Sequence, residues 1–132
     1  AEMFPSVPIL CHHMSGLKAN EGPPYKNLNQ VLESANLQNI YLKLSGFVYL
    51  GEDDRKWNFP YSDTLWIYRA AYERFGTRMV WGSDYPVVAS KMTYRQSLEA
   101  FRTHCTFLSD AAKTEILGGT LQGLLNDACE VK

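Results

Sequence analysis

The sequence predicts an α/β domain built on a parallel sheet. Short apolar runs alternate with stretches of helical periodicity, in the order β-α-β-α-β-α-α. Each apolar run breaks off on polar residues able to do chemistry: His12-His13, Ser45-Gly46 and Ser83-Asp84. A length of 132 residues, with 45% hydrophobic and 20% charged side chains, suits one domain spanning residues 1–132 with a buried core. Two architectures fit this pattern, an open doubly wound sheet and a section of a (β/α)8 barrel.

The first strand is expected over Val7 to Cys11, interrupted only by Pro8. Met14 to Tyr25 is polar and carries Gly16, Gly22, Pro23 and Pro24, so it is a loop. A helix then starts near Asn27 as N-cap, with Gln30 three residues on. Leu28, Val31, Leu32 and Ala35 form its apolar stripe. Ile40 to Leu44 is the second strand, and Gly46 to Tyr61 a long loop. The second helix is capped by Ser62, shows Leu65, Tyr68, Tyr72 and Phe75 on one face, and ends at Gly76. Met79 to Trp81 is the third strand. A third helix places Tyr94, Leu98, Phe101 and Cys105 together. A fourth follows Ser109 and stops at Gly118-Gly119, with a further turn or two over Thr120 to Asn126.

Several function classes drop out. Thirteen basic against fourteen acidic residues argue against nucleic-acid binding through a broad phosphate-contacting surface. No apolar run is long enough to cross a bilayer, and the first residues lack the pattern of a signal peptide. Three widely spaced cysteines, Cys11, Cys105 and Cys129, read as reduced thiols of a cytoplasmic protein. The dinucleotide fingerprint is absent. Gly46 and Gly51 are spaced like a phosphate loop, but Glu52-Asp53 follow, and two acids there repel a phosphate.

In either architecture function gathers at the C-terminal ends of the strands. Alternation along a strand then sorts the side chains. With the bulkier face of each strand set against helices, Tyr41, Lys43 and Ser45 turn inward, as do Gly82 and Asp84. The same rule turns His12 inward and His13 away. Histidine and aspartate at neighbouring strand ends suit a divalent metal or a general base. Each has a plainer alternative: a hydrogen-bonded structural histidine, or an aspartate capping the next helix. Lys43 is a cation paired with Asp84, a substrate-binding group, or a solvated side chain on a bulged strand. Trp57, Phe59 and Tyr61 either line a pocket or cover the barrel mouth, and His104 lies on the surface.

Several of these segments resemble the amidohydrolase-2 family of metal-dependent (β/α)8-barrel hydrolases. The run Arg78-Met79-Val80-Trp81-Gly82-Ser83-Asp84-Tyr85-Pro86, preceded by Phe75-Gly76, is similar to the family's strand-8 signature. Pro8-Ile9-Leu10-Cys11-His12 resembles its strand ending in histidine, and Asn39 to Gly46 its next strand. Leu108-Ser109 through Ile116-Leu117-Gly118-Gly119 resembles its closing segment. The resemblance implies the C-terminal part of a barrel, about strands 6 to 8 with their helices. It implies that Asp84 is a metal ligand and the base toward an attacking water, and that His12 is a second ligand near the metal or the substrate carbonyl. Ser45, Lys43, Tyr85 and His13 are the remaining candidates for substrate contact.

The implied activity is hydrolysis of a lactone or related carboxylated small molecule, with a divalent metal, zinc foremost. Aromatic-carboxylate decarboxylation at the same site and a non-catalytic remnant are the alternatives. The departures from the pattern are specific. The family's first-strand His-x-His pair and strand-5 histidine are missing, Cys11 stands where aspartate is common, and Thr120 stands where asparagine is common. Two named ligands are one short of the three that catalytic zinc takes from protein. A three-stranded section also has open edges, so self-association or contact with the rest of a barrel is expected.

Overall fold

Alternation over Ile40-Tyr41-Leu42-Lys43-Leu44 produces the central strand, β2 (Ile40–Leu44), with Ile40, Leu42 and Leu44 buried and Tyr41 and Lys43 half-buried. The computed structural model describes residues 1–45, Leu50 and residues 59–130. On one side β2 pairs in parallel with β1 (Ile9–Cys11), in the register Ile9 to Ile40 and Cys11 to Leu42. On the other it pairs in parallel with β3 (Met79–Trp81), in the register Leu42 to Met79 and Leu44 to Trp81. The spatial order β1-β2-β3 follows the chain order, without the reversal that defines a doubly wound sheet. Such an order fits a section of barrel wall and equally one unreversed half of a doubly wound sheet.

The helices α1 (Lys26–Ser34) and α2 (Leu65–Phe75) supply the two crossovers and pack against each other. The core lies between them and one face of the sheet. Leu42 and Met79 meet Leu28, Ile67, Tyr68 and Phe75 there, with Ala100 and Phe101 of α3 (Tyr94–Arg102). A capping box starts α3: Thr93 Oγ1 accepts from the Gln96 N–H, and Gln96 Oε1 accepts from the Thr93 N–H. Ser109 caps α4 (Asp110–Thr114) as expected, accepting from the Ala112 N–H.

Some local expectations need correction. The first strand is shorter than expected, Ile9 to Cys11. Asn27 does not cap α1. The Glu21 carboxylate does, accepting from the N–H groups of Asn27 and Leu28, because the loop folds back over the helix start. Ser62 opens a short 3-10 turn, Ser62–Thr64, and Thr64 precedes α2 without a side-chain cap. The buried face of α3 is Ser97, Ala100 and Phe101, while Tyr94 is half exposed. Gly118-Gly119 does not stop a helix. A wide π turn, Glu115–Gly119, joins α4 to α5 (Thr120–Glu130) and packs against β3. At Gly119 a Cβ would stand 2.5 Å from the carboxylate of Glu115, an exposed side chain free to swing aside.

Two side chains bind the N-terminal ends of the strands together. Arg78 donates to the carbonyls of Ala35, Leu37 and Ile40 at 2.6–3.0 Å, joining the entrance of β3 to the end of α1 and the start of β2. Asn39 Nδ2 donates to the carbonyls of Phe4 and Val7, which pins the first residues there. The Thr120 hydroxyl donates to the Thr77 carbonyl, so α5 starts at the same end. Leu124 and Asp127 of α5 share a cavity of about 290 Å3 with Pro5, Ser6, Pro8 and Tyr41.

Candidate active site

At the opposite, C-terminal end of the sheet, regular strand geometry gives way to left-handed backbone. His13, Met14 and Ser15 have φ of 49°, 51° and 56°, and Asp84 has φ of 58°. Such conformations are costly for non-glycine residues and persist where the surroundings enforce them. After β1 the chain is anchored by Met14 and Leu17, which are buried in the core, and by the Ser15 N–H donating to the His12 carbonyl. At Asp84 the backbone carbonyl accepts from the Val88 N–H, and the preceding Ser83 Oγ accepts from the Tyr85 N–H.

These turns overrule the strand alternation expected for His13. His12 is exposed. His13 turns onto the site instead: its Nδ1 shares a 3.0 Å hydrogen bond with Ser45 Oγ, and its Nε2 lies 3.7 Å from Asp84 Oδ1. The two imidazoles stand edge to face, 5.8 Å apart. The expectation for His13 fails because φ changes sign at His13 itself, where alternation has no force; His12 keeps an extended backbone, φ −73° and ψ 153°. Asp84 is not a helix cap either, since the following turn, Val87–Ser90, has no side-chain cap. Its side chain is 20% exposed and that of His13 39%, so both are anchored yet reachable. Ser45, by contrast, is buried, which suits a group that holds an imidazole.

His13 and Asp84 border a cavity of about 520 Å3, with Gly16, Leu17, Lys18 and Val87 completing its lining. That volume suits a small-molecule ligand. Lys18 carries no signal in the sequence, since it lies in a loop of no clear periodicity. Tyr85 is 66% exposed and turns to Tyr94, whose ring also meets Trp81; it does not line this cavity. Phe59 packs its ring on His104, which is half-buried instead of on the surface, and Tyr61 is buried in the core. Neither lines the cavity by His13 and Asp84. Trp57, Gly46, Gly51, Glu52 and Asp53 lie outside the described residues.

Among the described residues, no three His, Cys, Asp or Glu side chains gather as a metal site. His13 and Asp84 offer two donors where catalytic zinc takes three protein ligands. The described residues alone do not make a zinc centre. The three cysteines are free thiols. Burial pushes the Cys105 thiol up to about 12, which leaves it protonated and inert. Among the described residues no helix is long and apolar enough to cross a membrane.

Comparison with known proteins places this geometry in context. A family model described as amidohydrolase matches residues 1–120. A solved amidohydrolase from Burkholderia multivorans with bound zinc superposes with a TM-score of 0.78 at 22% identity, covering 91% of this chain and 44% of that one. A candidate 2-pyrone-4,6-dicarboxylic acid hydrolase from Pseudomonas putida gives 0.73 at 20% identity, covering 90% and 43%. A similar candidate from Acinetobacter baumannii, solved with citric acid bound, gives 0.70 at 22% identity, covering 90% and 43%. The chain thus spans less than half the length of the solved structures it matches. No curated protein matches significantly.

Proposed function

The chain belongs to the amidohydrolase family, and on that premise we propose that it forms the C-terminal part of a (β/α)8-barrel hydrolase, about strands 6 to 8, acting on a lactone or related carboxylated molecule. The observation that carries this is the approach of His13 to Asp84 beside a ligand-sized cavity at the C-terminal ends of the strands. In this reading the Asp84 carboxylate accepts a proton from water as the water oxygen bonds to the substrate carbonyl carbon. The ring C–O bond then breaks, and the proton passes to the departing alkoxide. His13 Nε2 faces the same carboxylate and steadies it, while Ser45 holds the other ring nitrogen. His12, whose ring stands 5.8 Å from that of His13, keeps its expected place as a second ligand at the same strand end.

The zinc-bound neighbour supports metal use in the family. Toward such an ion this chain would contribute Asp84 and His12, with further ligands from outside the described residues. β1 and β3 are sheet edges among those residues, which supports a partner too: further β/α units, from a second copy or a longer polypeptide, would complete the wall. Three free thiols support a cytoplasmic location.

Asp84→Asn tests the central step. Hydrolysis of a panel of sugar-acid and pyrone lactones is expected to slow by a factor of about 100 or more in the variant. Equal turnover by parent and variant would remove Asp84 from the chemistry.

A further inference from the structure

One cation on the barrel side of the sheet is not used by these steps. Lys43 projects from the middle of β2, opposite Val80 of β3, and its stem crosses the strand next door at Gly82. A Cβ at position 82 would stand 2.5 Å from Lys43 Cε and 3.5 Å from Nζ. Glycine is therefore the residue that leaves a groove for this side chain, and φ at Gly82 is not in the left-handed region, so conformational freedom is not the reason. The pairing of residues 42, 43 and 44 with 79, 80 and 81 is unbroken, which removes the bulged-strand account of Lys43. The ion pair found for Asp84 is with His13, and among the described residues the Lys43 ammonium has no carboxylate partner. Lys43 is half-buried as a residue, and its positive charge is left available to an anion that arrives with a ligand.

Position decides what such an anion is for. Two residues along β2 from Lys43 is Ser45, and two along from Gly82 is Asp84, so Lys43 stands one step before the strand ends that carry the site, next to the cavity lining and not within it. A carboxylated substrate is repelled by Asp84 unless a positive charge offsets it. We propose that Lys43, seated in the groove left by Gly82, binds a substrate carboxylate and so fixes which end of the molecule faces Asp84. A single ammonium on a narrow seat matches one singly charged carboxylate better than a phosphate dianion. The inference rests on the reading of the Asp84 end as the reacting end, but it concerns binding and is tested without turnover.

The test is a titration of the chain with citrate, followed by amide shifts of Lys43 and Gly82 in nuclear magnetic resonance spectra, with inorganic phosphate and glycerol as controls. Citrate is expected to shift both signals and glycerol neither. Lys43→Met and Gly82→Ala should each weaken citrate about tenfold. The double variant should be no weaker than Lys43→Met alone, because the methyl group added at position 82 acts only by displacing Lys43. Circular dichroism checks that the variants fold, and Lys43→Met, which keeps the stem, carries the test if Gly82→Ala does not. Asp84→Asn should bind citrate as well as the parent or better, so loss of hydrolysis in that variant and loss of citrate binding at Lys43 are separate outcomes. Undiminished binding by Lys43→Met, phosphate binding as tight as citrate, or no shift at tens of millimolar citrate would each overturn the proposal.

Discussion

The two faces of the sheet are made by neighbouring residues and serve opposite ends. On the helix side, Leu42, Leu44 and Met79 are at most 1% exposed and join one continuous core. On the barrel side, Leu10, Tyr41 and Lys43 are only half-buried; Val80 is buried but stands outside the main core cluster. The helix face holds the fold, which frees the barrel face to carry a cation, a hydroxyl and the approach to Asp84. Strand alternation lets one five-residue segment, Ile40 to Leu44, do both.

The sharpest way to break this comparison is to truncate adjacent residues of β2. Leu42→Ala removes a fully buried side chain and should cost about 3 kcal/mol in urea denaturation. Tyr41→Ala, one residue away, should cost less than half as much; equal losses would mean that both faces are core. Next comes the clamp at the strand entrances. Arg78→Ala leaves three carbonyls without their donor and should cost about 2 kcal/mol, and Arg78→Lys, which lacks the fork, should recover only part of it.

A smaller effect, invisible at neutral pH, comes from Cys105 in the same core. Its folded value of about 12 lies above the ordinary thiol value of 9.0, so the folded state holds its proton longer than the unfolded one. The contribution is complete below about pH 9 and is lost as pH rises toward 12. Thiol titration should show Cys129, which is exposed, reacting at once, and Cys105 reacting only as the chain unfolds. The smallest stability change belongs to the barrel side: Lys43→Met should alter the unfolding free energy by no more than about 0.5 kcal/mol. A large loss there would make Lys43 part of the scaffold.

What the sequence made legible follows the reach of periodicity. Ile40 to Leu44 and Met79 to Trp81 were readable to the residue, since every second side chain is apolar or the run is bounded by Gly76 and Gly82. The order of elements and the choice of strand ends as the site were readable for the same reason. The turn of His13 onto Ser45 and Asp84 was not, because three consecutive left-handed residues depend on Met14 finding a place in the core. Nor was the cap on α1, since Glu21 reaches it across a loop and not from the local spacing. Gly118-Gly119 misled because glycine pairs usually end helices, whereas here a wide π turn carries the chain through them into α5.

The pinning of the first residues by Asn39 and the docking of Thr120 on Thr77 put the segment around Phe4 and Val7 and the start of α5 at the N-terminal rim of the strands. The cavity shared by Pro5, Pro8, Leu124 and Asp127 shows how near they come to each other. Both segments therefore lie on the side away from His13 and Asp84. A label or cross-link placed on Pro5, Leu124 or Asp127 would leave the mouth of the site clear.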